Sequence, residues 1–145
     1  MRAARFASIA VLAWLVAIGF AIVPSAQAPM SEEDFDKAMK SVGATVGSMR
    51  KNMEAQAADA VAADAKKMVE LQKGNVAFWT ARKTQDATEW ATAAMNHATA
   101  LEQAAAAKNM AAAAESMKML MGTCAQCHGK YRDKGADGSY ILKKG

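Results

Sequence analysis

Two cysteines and a histidine near the C-terminus have a spacing that could hold a porphyrin. Cys124-Ala125-Gln126-Cys127-His128 has the form C-x-x-C-H, the attachment signature of c-type haem. Positions i and i+3 project from the same side of a helix, so both thiols can add to the vinyl groups on one porphyrin edge. His128 follows directly and would bring its imidazole under the iron as the proximal ligand.

Two other chemistries use the same residues. A Cys124–Cys127 redox disulfide suits an exported protein, but such motifs usually lie beside a βαβ pattern, which this sequence lacks. A zinc site needs a fourth ligand, and His97 is the only histidine besides His128, with no third cysteine present. Haem attachment is favoured, because the same chain also carries an export signal pattern and a helical, alanine-rich composition whose small core an apolar cofactor would enlarge.

Residues 1–28 have the pattern of an export signal peptide. Arg2 and Arg5 precede an uncharged run over 7–23, and Ala26-Gln27-Ala28 fits the cleavage pattern. The rival interpretation is an uncut membrane anchor, since Pro29 would follow the cut and the apolar run is at the short limit for a bilayer span. Either interpretation predicts an exported, periplasmic protein in a compartment that permits disulfides.

The composition predicts an all-α protein. Of 36 alanines, 27 follow residue 28, together with five Val, one Ile, four Leu and ten Met. Such a composition disfavours a sheet, and both prolines precede residue 30. Beyond the leader, 16 Lys and Arg against 14 Asp and Glu leave no dense basic stripe, which disfavours nucleic acid as a partner.

Periodic apolar positions predict four helices in one domain over 29–134, arranged as an antiparallel bundle without a sheet. The first predicted helix covers about 31–57 and has Ser31 as its cap. The second is capped by Asp59 and stops at Lys73-Gly74-Asn75. The third runs from Thr84 to about 107, and the fourth runs from Met110 to about Lys134 with Asn109 as its cap. Val76, Phe78 and Trp79 fall in the connection after the second helix. Residues 135–145 have the composition of a flexible tail. An alanine-rich core buries little area, and a large apolar cofactor would add to it.

The late C-x-x-C-H, followed by Tyr131-Arg132 on the last of four helices, resembles the class II cytochromes c, the cytochrome c′ family. The resemblance covers about residues 31–134. It implies one covalent haem c between the helices, His128 as proximal ligand, and a homodimer through the first two helices. In the family, the position of Met39 holds an apolar blocker in high-spin members and Met in low-spin relatives. Met39-Lys40-Ser41-Val42-Gly43 fits the Met form, and Phe35 replaces a family arginine.

Bundle topology also bears on the sixth ligand. In an antiparallel bundle the end of the fourth helix lies beside the start of the first, so His128 is level with residues near Phe35–Met39, and Met39 lies on the inner stripe. The alternative is that Met39 is one core methionine among ten. His97 is the competing ligand, but it pairs in height with Leu120, about seven residues or roughly 10 Å of helix rise from the proximal level.

Further residues are assigned less specific roles. Arg132 would pair with a haem propionate or screen the imidazole, unless it is simply a solvated cation. Trp79 and Trp90 are expected to wall the pocket. A basic rim would steer acidic redox partner proteins; it comprises Lys130, Lys134, Lys143 and Lys144.

Three functions therefore compete at this point. A His128/Met39-ligated haem predicts a one-electron carrier and not an enzyme, since no acid–base pair or nucleophile constellation is present. If Met39 does not ligate the iron, we expect a protein with five-coordinate iron that binds NO or CO. A chain without haem predicts a thiol–disulfide protein.

Overall fold

The computed structural model describes residues 30–136 and 139–143. Within these ranges it has four helices and two short strands: α1 (Glu32–Glu54), α2 (Ala58–Ala81), α3 (Gln85–Ala106), α4 (Met110–Tyr131), β1 (Arg132–Lys134) and β2 (Tyr140–Leu142). The prediction of a mostly helical protein with four packed helices is confirmed. The export signal over 1–28 lies outside the described residues. Among the described helices, none has the length and apolar character needed to cross a bilayer.

Local capping fixes where two of the helices begin. The Ser31 hydroxyl accepts a hydrogen bond from Asp34 N at 3.1 Å, and the Asn109 side chain accepts one from Ala112 N at 3.1 Å. Each satisfies a backbone N–H that has no partner inside its helix. Both caps were predicted from the sequence.

Three short links reverse the chain between successive helices. Each contains one non-glycine residue with positive φ: Gln56, Lys83 and Lys108, at 53°, 57° and 59°. Ion pairs then join the start of one helix to the end of the next: Arg82 to Glu32 at 2.5 Å, Lys108 to Asp59, and Lys130 to Asp86 at 2.5 Å. The helices are therefore antiparallel neighbours in chain order.

The helices do not pack equally tightly. The closest packing is between α2 and α3, then between α3 and α4 and between α1 and α2. The backbones of α1 and α4 approach each other far less within the described residues. The side of the bundle between α1 and α4, which carry Met39 and His128, is therefore its loosest side.

The core has two parts. A central cluster fills the middle of the bundle, and it comprises Val42, Val46, Met49, Val61, Ala65, Met68, Ala94, Ala98, Leu101, Ala105, Ala113, Met117 and Leu120. An aromatic end cluster closes the end where α4 finishes, and it comprises Phe35, Phe78, Trp79, Ala87, Ala91 and Tyr131. Alanines from α3 enter both clusters, which explains how α3 packs closely against two neighbours.

The predicted end of the second helix is wrong. α2 continues through Lys73-Gly74-Asn75 to Ala81, so Phe78 and Trp79 are helical and not in a connection. Both rings are buried in the end cluster, and their burial outweighs the small cost of a glycine inside a helix. Asp59 lies in the first turn of α2 and not at its cap, where Ala57 stands without a side-chain hydrogen bond.

The prediction of no sheet is also wrong. α4 ends at Tyr131 and not near Lys134, and β1 pairs with β2 as a two-stranded antiparallel sheet. β2 belongs to the segment predicted as a flexible tail. A backbone hydrogen bond from Lys143 N to Tyr131 O, at 2.9 Å, returns the hairpin to the end of α4. The hairpin therefore covers the last turn of the helix that carries the C-x-x-C-H motif.

Candidate functional site

The last two turns of α4 carry the C-x-x-C-H motif in helical conformation. Cys124 and Cys127 are both half-buried and both free, and they lie one helical turn apart. Cys124 packs against the central cluster, whereas Cys127 packs against the aromatic end cluster. The two thiols thus lie at the boundary between the two parts of the core.

Both thiols are poorly ionised. Burial raises the pKa of Cys124, and burial together with the nearby charges of Cys124 and Asp86 raises the pKa of Cys127 to about 11. A reactive redox C-x-x-C motif instead has a thiol with a lowered pKa. The electrostatics of this site therefore do not favour thiol–disulfide exchange.

The pKa of His128 lies below its ordinary value. Its ring is half-buried, and burial followed by the positive charge of Arg132 lowers its pKa. Its imidazole is therefore held neutral at physiological pH, and the neutral form is the one that coordinates a metal.

Met39 is half-buried on α1 and packs against both core clusters. Its height in the bundle follows from the rings of the end cluster. Phe35 packs on Trp79 with ring centroids 5.6 Å apart, and Trp79 packs on Tyr131 with centroids 4.8 Å apart. Met39 is four residues along α1 from Phe35, and Cys127 is four residues along α4 before Tyr131. Both residues therefore lie about one helical turn inward from the same aromatic layer.

His97 lies at a different height. The register between α3 and α4 is set by Asp86, which is hydrogen-bonded to Tyr131 at 2.6 Å. His97 is eleven residues along α3 from Asp86, and Leu120 is eleven residues back along α4 from Tyr131. Because the two helices are antiparallel, His97 lies level with Leu120. This level is about 12 Å of helix rise from His128. The half-buried His97 is therefore remote from the motif.

Arg132 is placed differently from its expected position. It follows α4 as the first residue of β1, it is exposed, and its guanidinium carbon lies 4.0 Å from the ring centroid of Tyr140. This cation–π contact with β2 holds the side chain against the hairpin. Its pairing with a propionate stays a prediction.

An open groove of about 660 Å³ lies beside the aromatic end cluster. Its lining combines two aromatic rings, one aliphatic side chain, a threonine, four cations and one acid: Trp79, Tyr131, Leu142, Thr84, Arg82, Lys83, Lys130, Lys143 and Glu32. Trp79 is 3% exposed, and its Nε1–H has no hydrogen-bond partner among the described residues. A buried donor without a partner is unusual in a folded protein and calls for a ligand or another explanation.

Comparison of the chain with family models, with curated protein sequences and with solved structures found no match. Among the described residues, no three or more His, Cys, Asp or Glu side chains are grouped so that they could hold a metal ion.

Sequence reasoning missed one residue of this site. Asp86, in the first turn of α3, accepts hydrogen bonds from the Lys130 and Tyr131 side chains at 2.5 and 2.6 Å. From sequence alone, an acid in a first turn is explained by the helix dipole. Its partners on α4 become apparent only when the register of α3 against α4 is known.

Proposed function

We propose that this chain is an exported c-type cytochrome that carries single electrons through one covalently attached haem. The observation that carries the proposal is the C-x-x-C-H motif on the last turns of α4, with both thiols at the boundary of the core and an imidazole held neutral beside them. The haem would supply a one-electron iron couple when bound.

The residues present fit such a group. Cys124 and Cys127 project from one side of α4 and could each form a thioether, while His128 would be the proximal ligand. The loose packing between α1 and α4 leaves this side of the bundle the easiest to open for a large flat ring. Trp79 offers a buried hydrogen-bond donor without a protein partner in the same end cluster as Cys127.

Met39 is the proposed distal ligand. It packs against the same two clusters as Cys124 and Cys127, and it lies about one turn inward from the aromatic layer, as Cys127 does. A thioether opposite an imidazole would leave the iron without an open site, which suits electron transfer rather than gas binding. The surrounding side chains would exclude water from the iron and thereby favour its ferrous state.

The test is whether haem stays on the polypeptide. Acidic acetone extraction of the protein from a host with a c-type maturation system should leave the haem absorbance with the precipitated chain. The Cys124→Ala/Cys127→Ala variant should lose the bound haem. Met121 is a half-buried residue on the same helix, and Met121→Ala should keep the haem. Haem that partitions into the solvent, or a wild-type chain without haem, would overturn the proposal.

A further inference from the structure

The end face of the bundle, which comprises the open groove and the hairpin after α4, has an excess of positive charge. At this end the acids in the first turns of α1 and α3 are already held in ion pairs, which are Arg82–Glu32, Lys37–Glu33, Lys37–Asp34 and Lys130–Asp86. Exposed cations of the end face that form no ion pair with a described residue are Lys83, Arg132, Lys134 and Lys143. Their charges are therefore available to a partner.

The groove places part of this charge in a concave surface. Lys83 and Lys143 line it, and Glu32, which is paired with Arg82, is the one acid in its described lining. A groove of about 660 Å³ can admit side chains that protrude from a protein, whereas the flat surface of a lipid bilayer cannot enter it. Its shape and charge together fit aspartate and glutamate side chains of a partner protein.

The hairpin adds exposed apolar side chains beside the cations. Among the described residues three large hydrophobic side chains are exposed, and two of them, Tyr140 at 53% and Ile141 at 49%, lie on β2. Successive strand residues point to opposite faces, so an apolar side chain is exposed on each face of the hairpin. The guanidinium carbon of Arg132 lies 4.0 Å from the Tyr140 ring centroid. Exposed aromatic and aliphatic groups next to arginine are typical of protein–protein interfaces.

We propose that the end face is the docking surface for an acidic electron-transfer protein. Carboxylates of the partner would meet Lys83 and Lys143 in the groove, while Tyr140 and Ile141 would contact its apolar surface. This inference rests on the proposed function, because an electron-transfer partner must dock close to the haem. Tyr131 lines the groove and is the last residue of α4, the helix that carries the C-x-x-C-H motif. Docking here would therefore bring the partner to the end of the bundle that holds the motif.

The first test measures binding of poly-L-glutamate, a probe that supplies carboxylates without a redox centre. Isothermal titration calorimetry at low ionic strength reports this binding whether or not the chain carries haem. Lys83→Gln/Lys143→Gln should weaken it about fivefold, because two surface charge interactions are lost. Lys66→Gln/Lys67→Gln is the charge-matched control: both lysines are exposed on α2, away from the end face, and the variant should bind like wild type. Equal weakening by the two variants would show that net charge alone drives binding, and the inference would be wrong.

A second test addresses the apolar side chains of the hairpin. A random copolymer of glutamate and tyrosine should bind the wild-type chain more tightly than poly-L-glutamate does, because its rings can pack on Tyr140 and Ile141. Tyr140→Ser/Ile141→Ser should remove that difference. Met119→Ser is the matched control, since Met119 is the third exposed large hydrophobic residue and lies on α4. A difference that persists in the hairpin variant would mean that the hairpin is not part of the docking surface.

Other anionic partners are distinguished by the same variants. If Lys83→Gln/Lys143→Gln weakens binding to phosphatidylglycerol vesicles or to duplex DNA more than binding to poly-L-glutamate, the end face serves a membrane or a nucleic acid and the inference is wrong. If haem is covalently bound but neither end-face variant changes binding, the inference fails and the proposed function stands. If both variants act as expected but acidic acetone removes the haem, the proposed function fails, and with it the electron-transfer role of the partner.

Discussion

The Tyr131 hydroxyl donates a 2.6 Å hydrogen bond to Asp86 Oδ1, joining the last turn of α4 to the first turn of α3. The second carboxylate oxygen of Asp86 accepts from Lys130 Nζ at 2.5 Å, and Oδ1 also accepts from Ala87 N at 2.9 Å. Tyr131 is three residues beyond His128. This contact therefore anchors the end of the helix that presents the C-x-x-C-H motif.

Replacing Asp86 by Asn should destabilise the protein in a pH-dependent way. Hydrogen bonds from Lys130 and then from Tyr131 lower the pKa of Asp86 from its ordinary value of 3.8. A lowered pKa in the folded state stabilises the fold above the ordinary value, and this contribution is lost as the pH falls through the folded value. Urea unfolding should give Asp86→Asn a lower midpoint than wild type at neutral pH, with the difference shrinking below about pH 4.

The matched control for this variant is Asp36→Asn. Asp36 pairs with Lys40 on the exposed face of α1, with N and O 2.6 Å apart, and surface pairs of this kind contribute little. Its urea midpoint should stay close to wild type at neutral pH. An Asp86→Asn midpoint that also equals wild type at neutral pH would show that the contact does not stabilise α4.

Replacing Gly74 by Ala should stabilise the protein by about 0.5–1 kcal/mol. The sequence suggested that α2 stops here, and a stop would place Gly74 in a left-handed conformation that alanine resists. In the structure Gly74 is inside α2, and an added Cβ would meet Met30 Cε at 3.1 Å, which is the mobile end of a flexible side chain. Thermal or urea unfolding measures the change.

Gly47→Ala is the control for this test. Gly47 lies inside α1, and no heavy atom lies within 4 Å of the Cβ that alanine would add. Both variants should therefore gain stability through helix propensity. If Gly47→Ala stabilises the chain while Gly74→Ala destabilises it by more than about 1 kcal/mol, either Met30 cannot move away from the added Cβ or α2 does not continue through Gly74.

What could be predicted from the sequence was local. The Ser31 and Asn109 caps and the inner stripe of α1 depend on neighbouring residues alone, and the structure has them as expected. The continuation of α2 depends on Phe78 and Trp79 finding Phe35 and Tyr131, which come from distant parts of the chain. The hairpin likewise requires Tyr140 to reach Arg132 across a turn. Such long-range contacts override the local preference of Gly74 and of the glycine-containing tail.

The haem-free chain should have unreactive thiols. The pKa of Cys127 is raised to about 11 from 9.0, so its thiolate population should be lower than that of an ordinary cysteine by about a hundredfold at neutral pH. Iodoacetamide should therefore alkylate the folded, haem-free protein slowly at neutral pH. The rate should rise strongly as the pH approaches the pKa of Cys127.

The urea-unfolded chain is the control for thiol reactivity, because unfolding removes the burial that raises both pKa values. It should be alkylated at the rate of a simple thiol. Rapid alkylation of the folded protein at neutral pH would instead favour the thiol–disulfide alternative.

The final prediction concerns Met39 as the ligand opposite His128. Wild-type ferric protein should be low-spin and show a long-wavelength sulfur-to-iron charge-transfer band. Met39→Ala should abolish that band, shift the iron toward high spin and let CO bind the ferrous form. It should also lower the reduction potential, because a thioether stabilises ferrous iron.

Met53→Ala is the matched control. Met53 is a half-buried methionine on the same helix, it packs against the central cluster, and it lies about 21 Å of helix rise from Met39. Met53→Ala should keep the band and the potential. A high-spin wild type that binds CO readily would make Met39 a packing residue and would favour the gas-binding function. If Met39→Ala leaves a low-spin spectrum unchanged, another side chain must ligate the iron, and His97→Ala would test the remaining histidine.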